Sequence, residues 1–175
     1  MADRLIALNG MAGAGKTTLA RPLARELGVP IVSKDAIKEA LGDAVEVPLP
    51  TREVGALASD ALWRIVGMLE GTVLVESVWL AGRDDEWFRR GWESAGSPEG
   101  VEIWCEAPRD VMRARYLTRP RHPVHDDRAR LAEWETAALA ARPMTGLPVI
   151  RVDTEHEVDV PALAAGISAQ EFGEI

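Results

Sequence analysis

The stretch ALNGMAGAGKTTLARPLA, residues 7–24, decides the fold of this 175-residue chain. An apolar run leads into Gly10, Gly13 and Gly15, and a lysine and two threonines come directly after these glycines. Glycine costs backbone entropy wherever a chain is ordered, so its repeated use indicates a backbone that must stay bare. Residues 10–17 match the pattern G-x-x-x-x-G-K-[ST] at every fixed position, between a predicted strand and a predicted helix. The stretch therefore predicts a loop that binds phosphate groups.

This pattern predicts a site for a nucleoside triphosphate, with ATP as the expected nucleotide and Mg²⁺ as its metal ion. Backbone amides of such a loop surround phosphate oxygens, and the N-terminus of the following helix adds partial positive charge. Lys16 is expected to reach the β- and γ-phosphates, and the Thr17 hydroxyl to bind Mg²⁺. The predicted nucleotide-binding residues of the loop are Gly10, Met11, Ala12, Gly13, Ala14, Gly15, Lys16, Thr17 and Thr18. The alternative, a glycine-rich turn with an incidental lysine, does not account for the complete match.

Short apolar runs alternate with longer amphipathic stretches along the chain. The apolar runs are rich in Val and Ile and nearly continuous, which is typical of parallel strands covered on both faces. Strands are predicted at residues 4–9, 30–33, 72–77, 101–106 and 148–153. Helices are predicted at residues 16–27, 54–69, 84–95, 108–117, 128–141 and 160–167. This alternation predicts an α/β fold, one domain over residues 1–175 with a five-stranded parallel sheet flanked by helices.

Composition and charge narrow the classes of partner. The chain carries 28 acidic and 20 basic residues, a net charge of −8, which opposes binding to a long nucleic acid. The single cysteine, Cys105, excludes an internal disulfide and suits a reducing cytoplasm. No stretch approaches the roughly 20 apolar residues of a membrane-spanning helix. We therefore expect a cytoplasmic monomer or homodimer that acts on a small molecule and binds neither a membrane nor a long nucleic acid.

A carboxylate follows the second predicted strand, at the edge where open α/β sheets bind ligands. In VSKDAIKEAL, residues 32–41, Asp35 stands just beyond the strand. Its carboxylate is a candidate to accept the proton of a substrate hydroxyl that attacks the γ-phosphate. Lys38, one helical turn later, is a candidate to steady an anionic group. The alternative is that Ser33 or Asp35 only caps the next helix.

A second acid ends the third predicted strand. In TVLVESVWLAGR, residues 72–83, this acid is Glu76. An acid at this place in nucleotide-binding folds orients the shell of Mg²⁺, usually through water, so we assign Glu76 to the metal together with Thr17. Contact with the acceptor and a carboxylate satisfied at the end of its strand are the two alternatives.

A basic stretch follows the fourth predicted strand in this otherwise acidic chain. Residues 109–121 contain five arginines and one acid. Two prolines then break the helix and predict a lid over residues 118–128. Arg115, Arg119 and Arg121 are the candidates to bind the triphosphate, and Arg119 is the candidate to stabilise the charge that develops during transfer. The alternative is a solvated basic face.

The order of these motifs resembles that of the P-loop small-molecule kinases, ATP-binding proteins of the AAA type. It is similar above all to chloramphenicol phosphotransferase-like, zeta-toxin-like and polynucleotide-kinase-like proteins. The resemblance covers nearly the whole chain and implies transfer of the γ-phosphate of ATP to the hydroxyl of a small molecule. The catalytic residues that it implies are Asp35, Lys16, Arg119 and Glu76.

The chain departs from adenylate-kinase-like proteins in the arginines that bind an acceptor monophosphate. Those proteins carry D-x-x-R after the second strand and D-G-x-x-R after the third, whereas this chain has DAIK and ESVWLAGR. Arg83 replaces these arginines only in part, which favours a neutral or cationic hydroxyl compound over a nucleotide. The residues predicted to contact the acceptor are Asp35, Lys38, Trp79 and Arg83. A nucleoside monophosphate kinase and an ATP-binding regulatory switch that transfers no phosphate are the alternatives.

Overall fold

A five-stranded parallel sheet forms the centre of the fold. The structure is a computed structural model that describes residues 2–127, 129–144 and 146–169. The strands are β1 (Ala2–Asn9), β2 (Ile31–Ser33), β3 (Gly71–Glu76), β4 (Glu99–Glu106) and β5 (Val149–Asp153), in the spatial order β2-β3-β1-β4-β5. The predicted α/β class and the predicted five-stranded parallel sheet are confirmed.

Helices flank this sheet. They are α1 (Lys16–Leu27), α2 (Lys34–Asp43), α3 (Thr51–Met68), α4 (Asp85–Ser94), α5 (Arg109–Thr118), α6 (Leu131–Ala140) and α7 (Val160–Ala169), with a 3₁₀ turn at Pro123–His125. No helix within the described ranges is long and apolar enough to cross a membrane.

Two predicted helix starts differ from the structure by three residues each. α3 begins at Thr51 and not at residue 54, because the Val54 amide already bonds to the Pro50 carbonyl. The polar first turn of α3 precedes the apolar repeat, so apolar periodicity alone starts the helix too late. α6 begins at Leu131, whereas the prediction began at residue 128, which lies outside the described residues.

Two apolar cores cover the two faces of the sheet. In β3, Val73 and Val75 contribute to one core and Leu74 contributes to the other. The first core contains residues of α3 and α4, and the second contains residues of α1 and α7. Because both faces are covered, the central strands read as continuous apolar runs and not as alternating ones.

The strand order places one edge of the sheet in position to bind a ligand. The chain leaves β1 for β2 and β3 on one side and later adds β4 on the other side, so the direction of winding changes at β1. Open α/β sheets bind ligands at the carboxyl ends of the strands beside such a change. β1 ends here in the glycine-rich loop, and Asp35 and Glu76 come to the same edge from the ends of β2 and β3.

The segment between α5 and α6, which the sequence predicts as a lid, packs against α2. The His122 ring lies beside Asp43, with Nε2 2.8 Å from Oδ1. The His125 ring lies beside Glu39, with Nε2 2.9 Å from Oε1. These contacts hold the segment over the end of β2, which brings its arginines close to Asp35.

Candidate active site

One large cavity brings the predicted site residues together at the carboxyl ends of the strands. Its volume is about 1640 Å³. The predicted residues that line it are Met11, Ala12, Gly13, Gly15, Lys16, Thr17, Thr18, Asp35, Lys38, Glu76, Trp79, Arg83, Arg115, Arg119 and Arg121. Gly10 and Ala14 are buried behind this surface.

Two glycines of the loop are required by close approaches within the protein. Gly10 has a φ of +139°, and a Cβ there would lie 2.4 Å from the carbonyl oxygen of Cys105 in β4. Gly13 has a φ of +91°, and a Cβ there would lie 2.2 Å from the carbonyl oxygen of Met112 in α5. The sequence predicts bare backbone at these positions for a phosphate. The structure adds a second reason, because the loop packs directly on the backbones of β4 and α5.

Asn9, the last residue of β1, fastens the loop to the segment that follows β3. Its side-chain oxygen accepts hydrogen bonds from the backbone amides of Gly10 and Trp79, at 2.7 and 2.8 Å. Its side-chain amide donates to the Trp79 carbonyl at 2.5 Å and to Glu102 Oε1 at 2.7 Å. None of the motifs in the sequence indicated a role for Asn9. A buried amide must find partners, so an asparagine that ends an apolar run is the signal that could have found it.

Lys16 is held by its own loop. Its ammonium donates to the carbonyls of Gly10 and Met11, at 2.8 and 3.0 Å. Burial lowers the pKa of Lys16 below its ordinary value, although the Glu76 and Asp35 carboxylates oppose that change. An ammonium in this position is ready to exchange neutral carbonyl acceptors for charged phosphate oxygens, which form stronger hydrogen bonds.

Thr17 and Glu76 form an oxygen pair beside the loop. Thr17 Oγ1 donates to Glu76 Oε1 at 2.5 Å, which links the first turn of α1 to the end of β3. Mg²⁺ prefers such oxygen ligands and usually takes the rest of its shell from water and nucleotide phosphates. In the described part of the chain, no group of three or more His, Cys, Asp or Glu residues could hold a metal ion. The pair therefore fits a Mg²⁺ that binds together with a nucleotide.

Asp35 lies in the first turn of α2 and is paired with the predicted lid. Its Oδ2 accepts a hydrogen bond from Arg121 Nη1 at 3.1 Å, and Arg121 also pairs with Asp127 at 3.1 Å. Burial raises the pKa of Asp35, but nearby positive charges outweigh that effect and hold the pKa below its ordinary value. Those charges belong to Arg121, His125, Lys16 and Arg119. Asp35 is therefore ionised at neutral pH.

The N-cap of α2 is Ser33, whose hydroxyl accepts a hydrogen bond from the Ala36 amide at 3.5 Å. Of the two capping candidates in the sequence, the structure therefore selects Ser33. Asp35 is left with its carboxylate at the cavity.

The other two candidate arginines have different surroundings. Arg115 donates from Nη2 to the carbonyls of Thr154 and Glu155, at 3.0 and 3.2 Å, so it ties α5 to the segment after β5. Arg119 follows the last turn of α5 in extended backbone. Its Nε is buried and has no hydrogen-bond partner among the residues that the structure describes. The Arg119 side chain lines the cavity, which places its guanidinium beside a ligand that binds there.

The predicted acceptor-binding residues differ in exposure and pairing. Lys38 is buried, and its ammonium donates to Thr51 Oγ1 at 2.6 Å. Arg83 pairs with Asp84 at 2.6 Å. Trp79 is only 3% exposed and belongs to an aromatic cluster in the core, so little of it is available to a ligand. Its partners there include Trp63, at 5.9 Å between ring centroids, and Phe88, at 5.1 Å.

Two aromatic residues of the cavity wall were missed. Trp134 in α6 donates from Nε1 to the Ala12 carbonyl at 3.0 Å, and its ring stacks on Tyr116 with 5.4 Å between centroids. Both line the cavity. Trp134 is 122 positions from Ala12 in the chain, and no local pattern indicates such a contact.

A family model described as AAA_33, an AAA domain, matches residues 5–144. The chain belongs to the AAA_33 family. The match runs from β1 past the end of α6 and includes the loop, Asp35, Glu76 and the arginines of the cavity. The resemblance drawn from the order of the motifs is confirmed.

Proteins similar to this AAA_33 chain include kinases. A shikimate kinase from Ruegeria pomeroyi is 33% identical over 132 residues, which are 73% of this chain and 66% of that protein. The matched part is thus just under two thirds of the curated relative. A crystal structure of a protein described as a kinase, from Chloroflexus aurantiacus J-10-fl, is 30% identical with a TM-score of 0.80, over 94% of this chain and 96% of that chain.

A more distant solved structure shares the fold. A gluconokinase from Sinorhizobium meliloti 1021 is 18% identical with a TM-score of 0.63, over 95% of this chain and 92% of that chain. The chain therefore has the fold of the P-loop kinases.

Proposed function

We propose that this AAA_33 protein is an ATP-dependent kinase that transfers the γ-phosphoryl group of ATP to a hydroxyl of a small molecule. One observation carries the proposal: Asp35 and Arg119 line the same cavity as the nucleotide loop. A loop of this kind is enough to bind a nucleotide. Phosphoryl transfer to a hydroxyl also needs a group that orients the hydroxyl and a cation that stabilises the moving charge. The kinase names of the relatives support the same class of reaction.

The loop holds the triphosphate in this proposal. Its backbone amides and the N-terminus of α1 bind phosphate oxygens, and Lys16 binds the β- and γ-phosphates. The Thr17 hydroxyl would bind Mg²⁺, and Glu76 would orient the shell of water around the ion. When bound, Mg²⁺ neutralises charge on the phosphates as the leaving group departs. Arg115 lies at the part of the cavity beside the nucleotide, where it joins α5 to the segment after β5.

Asp35 orients the acceptor hydroxyl and receives its proton. The hydroxyl oxygen forms a bond to the γ-phosphorus while the bond from that phosphorus to the bridging oxygen breaks, and ADP leaves with the electron pair. Arg119 stabilises the charge on the transferred group. An acceptor that takes the place of Arg121 at Asp35 releases a second guanidinium for the same group.

The test is ADP release from MgATP, with and without a panel of sugars, hydroxy acids, amino alcohols, nucleosides and nucleoside monophosphates. The proposal expects stimulation by one class of hydroxyl compound and loss of that stimulation in Asp35→Asn. Stimulation by nucleoside monophosphates alone would make the protein a nucleoside monophosphate kinase. ATP binding with no stimulated turnover would make it a regulatory switch. Either outcome overturns the proposal.

The pairing of Arg83 supports a small hydroxyl compound over a nucleoside monophosphate. Arg83 is the residue that could best replace the absent phosphate-binding arginines, and it forms an ion pair with Asp84 through Nη2 and Oδ2 at 2.6 Å. The neighbouring Asp84 carboxylate offsets part of the positive charge that Arg83 could offer to an acceptor phosphate.

A further inference from the structure

The lysines of this chain are confined to the cavity. The chain has 20 basic residues, of which three are lysines, Lys16, Lys34 and Lys38, and all three line the cavity. Every other basic residue is an arginine. Lys16 belongs to the nucleotide loop, Lys38 is a predicted acceptor-binding residue, and Lys34 has no role assigned from the sequence. Lys34 and Lys38 are four positions apart, a spacing at which like charges on a helix repel each other.

Lys38 is a buried cation without an ion-pair partner among the described residues, although the charge of Asp35 acts on it from a distance. The residue is 5% exposed, and no carboxylate of the described chain lies within 4.0 Å of its ammonium. Thr51 Oγ1 takes one of its three N–H donors. Burial, with the nearby positive charge of Arg130 as the next cause, lowers the pKa of Lys38 to about 8. A buried charge that lacks a partner is unfavourable, so a ligand that supplies the opposite charge binds with a large gain.

The carboxylates around Lys34 and Lys38 are paired with arginines. Asp35, whose charge acts on both lysines, pairs with Arg121 at 3.1 Å. Asp84 pairs with Arg83 at 2.6 Å. Glu133 is shared by two arginines, Arg52 and Arg130. After this pairing, the two lysines of α2 are left as an excess of positive charge in a chain whose net charge is −8.

Space is left beside the ammonium of Lys38. Gly55 of α3 faces it, and a Cβ at Gly55 would lie 3.9 Å from Lys38 Nζ. Both residues line the cavity. A glycine inside a helix costs about 0.5–1 kcal/mol relative to alanine. Here it keeps the surface beside the charge free of a side chain.

We propose that the acceptor is an anionic hydroxyl compound whose carboxylate or phosphate group binds Lys38 and Lys34 while its hydroxyl lies at Asp35. The inference rests on the proposed kinase function. Asp35 and Lys38 are three positions apart on α2, so their Cβ atoms are about 5–6 Å apart on one face of the helix. That spacing suits a small molecule in which the anion and the reacting hydroxyl are separated by a few bonds. The proposal reverses the preference for a neutral or cationic acceptor, which rested on absent arginines, and it adds Lys34 to the assignment of Lys38 to an anionic group.

Lysine-selective ¹³C labelling of the full chain tests the proposal by NMR. Three ε-CH₂ signals are expected, and Lys34→Met and Lys38→Met assign them. MgADP is added first to occupy the loop, which the Lys16 signal reports. Glycerol, glycerate and glycerol 3-phosphate are then titrated, because these probes share a skeleton and differ in charge. Thermal unfolding of each variant shows that it is folded.

Glycerate or glycerol 3-phosphate is expected to shift the signals of Lys34 and Lys38 but not that of Lys16, and glycerol is expected to shift none. The probe that shifts the two signals at the lower concentration shows whether the site prefers a carboxylate or a phosphate group. Lys38→Met should weaken binding of that probe about tenfold or more, since a hydrogen bond to a charged group is lost, whereas Lys38→Arg should retain most of it. Equal shifts with glycerol, shifts of Lys16 alone, or no shift overturn the proposal. The titration of the wild-type protein tests the proposal even if Lys38→Met does not fold.

Failure of the kinase proposal would give a different result. The titration needs no turnover. Anion-specific shifts without acceptor-stimulated ADP release would therefore support the anion site and contradict the proposed kinase function. If neutral hydroxyl compounds stimulate ADP release and the anions do not shift the lysine signals, the kinase function is supported and the anionic acceptor is contradicted.

Discussion

Asp35 is the residue at which a kinase and a simple ATP-binding protein differ most. Asp35→Asn keeps the size of the side chain and removes the proton acceptor. Because Ser33 is the cap of α2, we expect the melting temperature and the affinity for ATP to change little. Acceptor-stimulated ADP release should fall by about 10² to 10⁴, the usual contribution of general base catalysis. The low pKa of Asp35 makes it a weak base, which puts the loss near the lower limit.

Two measurements on Asp35→Asn separate a catalytic role from a structural one. Steady-state ADP release gives kcat, and thermal unfolding gives the stability of the same preparation. Normal kcat together with a lowered melting temperature would show that Asp35 serves the fold through its pair with Arg121.

Arg119 is expected to act on the transition state. Arg119 lines the cavity together with Asp35, so its guanidinium can bind the transferred group as charge develops on it. Arg119→Ala should lower kcat by about 10² or more, with a smaller change in the dissociation constant for ATP. Arg113→Ala is the matched control, because Arg113 pairs with Glu135 outside the cavity. A rise in the KM for ATP at unchanged kcat would assign Arg119 to ground-state binding instead.

At the scale of the element, the glycine-rich loop depends on the backbones beside it. Gly13→Ala would bring a Cβ within 2.2 Å of the Met112 carbonyl oxygen, which forces α5 or the loop to move. We expect a loss of about 2–4 kcal/mol in the free energy of unfolding, from backbone strain and overpacking together. Binding of ATP should weaken in parallel, because the amides of the loop are displaced.

Gly28→Ala is the control that separates strain from overpacking. Gly28 has a φ of +67°, but a Cβ there would meet nothing within 4 Å. Its loss should be about 1 kcal/mol, the cost of a left-handed conformation alone. Urea unfolding of both variants measures the difference. Equal losses in the two variants would mean that the contact with α5 is not tight.

At the scale of the whole molecule, Glu102 couples stability to pH. It is fully buried in β4, and its Oε1 accepts a hydrogen bond from Asn9 at 2.7 Å. Burial raises the pKa of Glu102 from 4.5 to about 7. Between these values the folded protein binds more protons than the unfolded chain. The contribution of Glu102 to the free energy of unfolding therefore falls as pH rises from about 4.5 to 7, by about 3 kcal/mol in all.

Glu102→Gln removes this dependence, because an amide does not titrate. We expect the stability of the variant relative to wild type to rise between pH 5 and pH 8, measured as midpoints of urea unfolding at several pH values. Glu99→Gln, on the exposed end of the same strand, should give a curve parallel to that of wild type. Parallel curves for Glu102→Gln would mean that Glu102 titrates normally in the folded protein.

Local patterns in the sequence account for the order of the elements and for the nucleotide loop. Nearly continuous apolar runs identified all five strands, because a strand buried on both faces is apolar at almost every position. The loop was found because its glycines, Lys16 and Thr17 are adjacent in the chain and their spacing is itself the geometry. Asp35 and Glu76 were predicted as site residues because Asp35 follows β2 and Glu76 ends β3, and parallel strands end at one edge.

Contacts between distant parts of the chain were decided by the tertiary structure alone. Arg121 meets Asp35 across 86 positions, and Asn9 meets Glu102 across 93. No local pattern encodes such pairs, because they depend on how helices and strands pack. The same holds for Lys38: the sequence shows the residue, but only the packing of α2 against α3 buries its ammonium beside Thr51, with no ion-pair partner among the described residues.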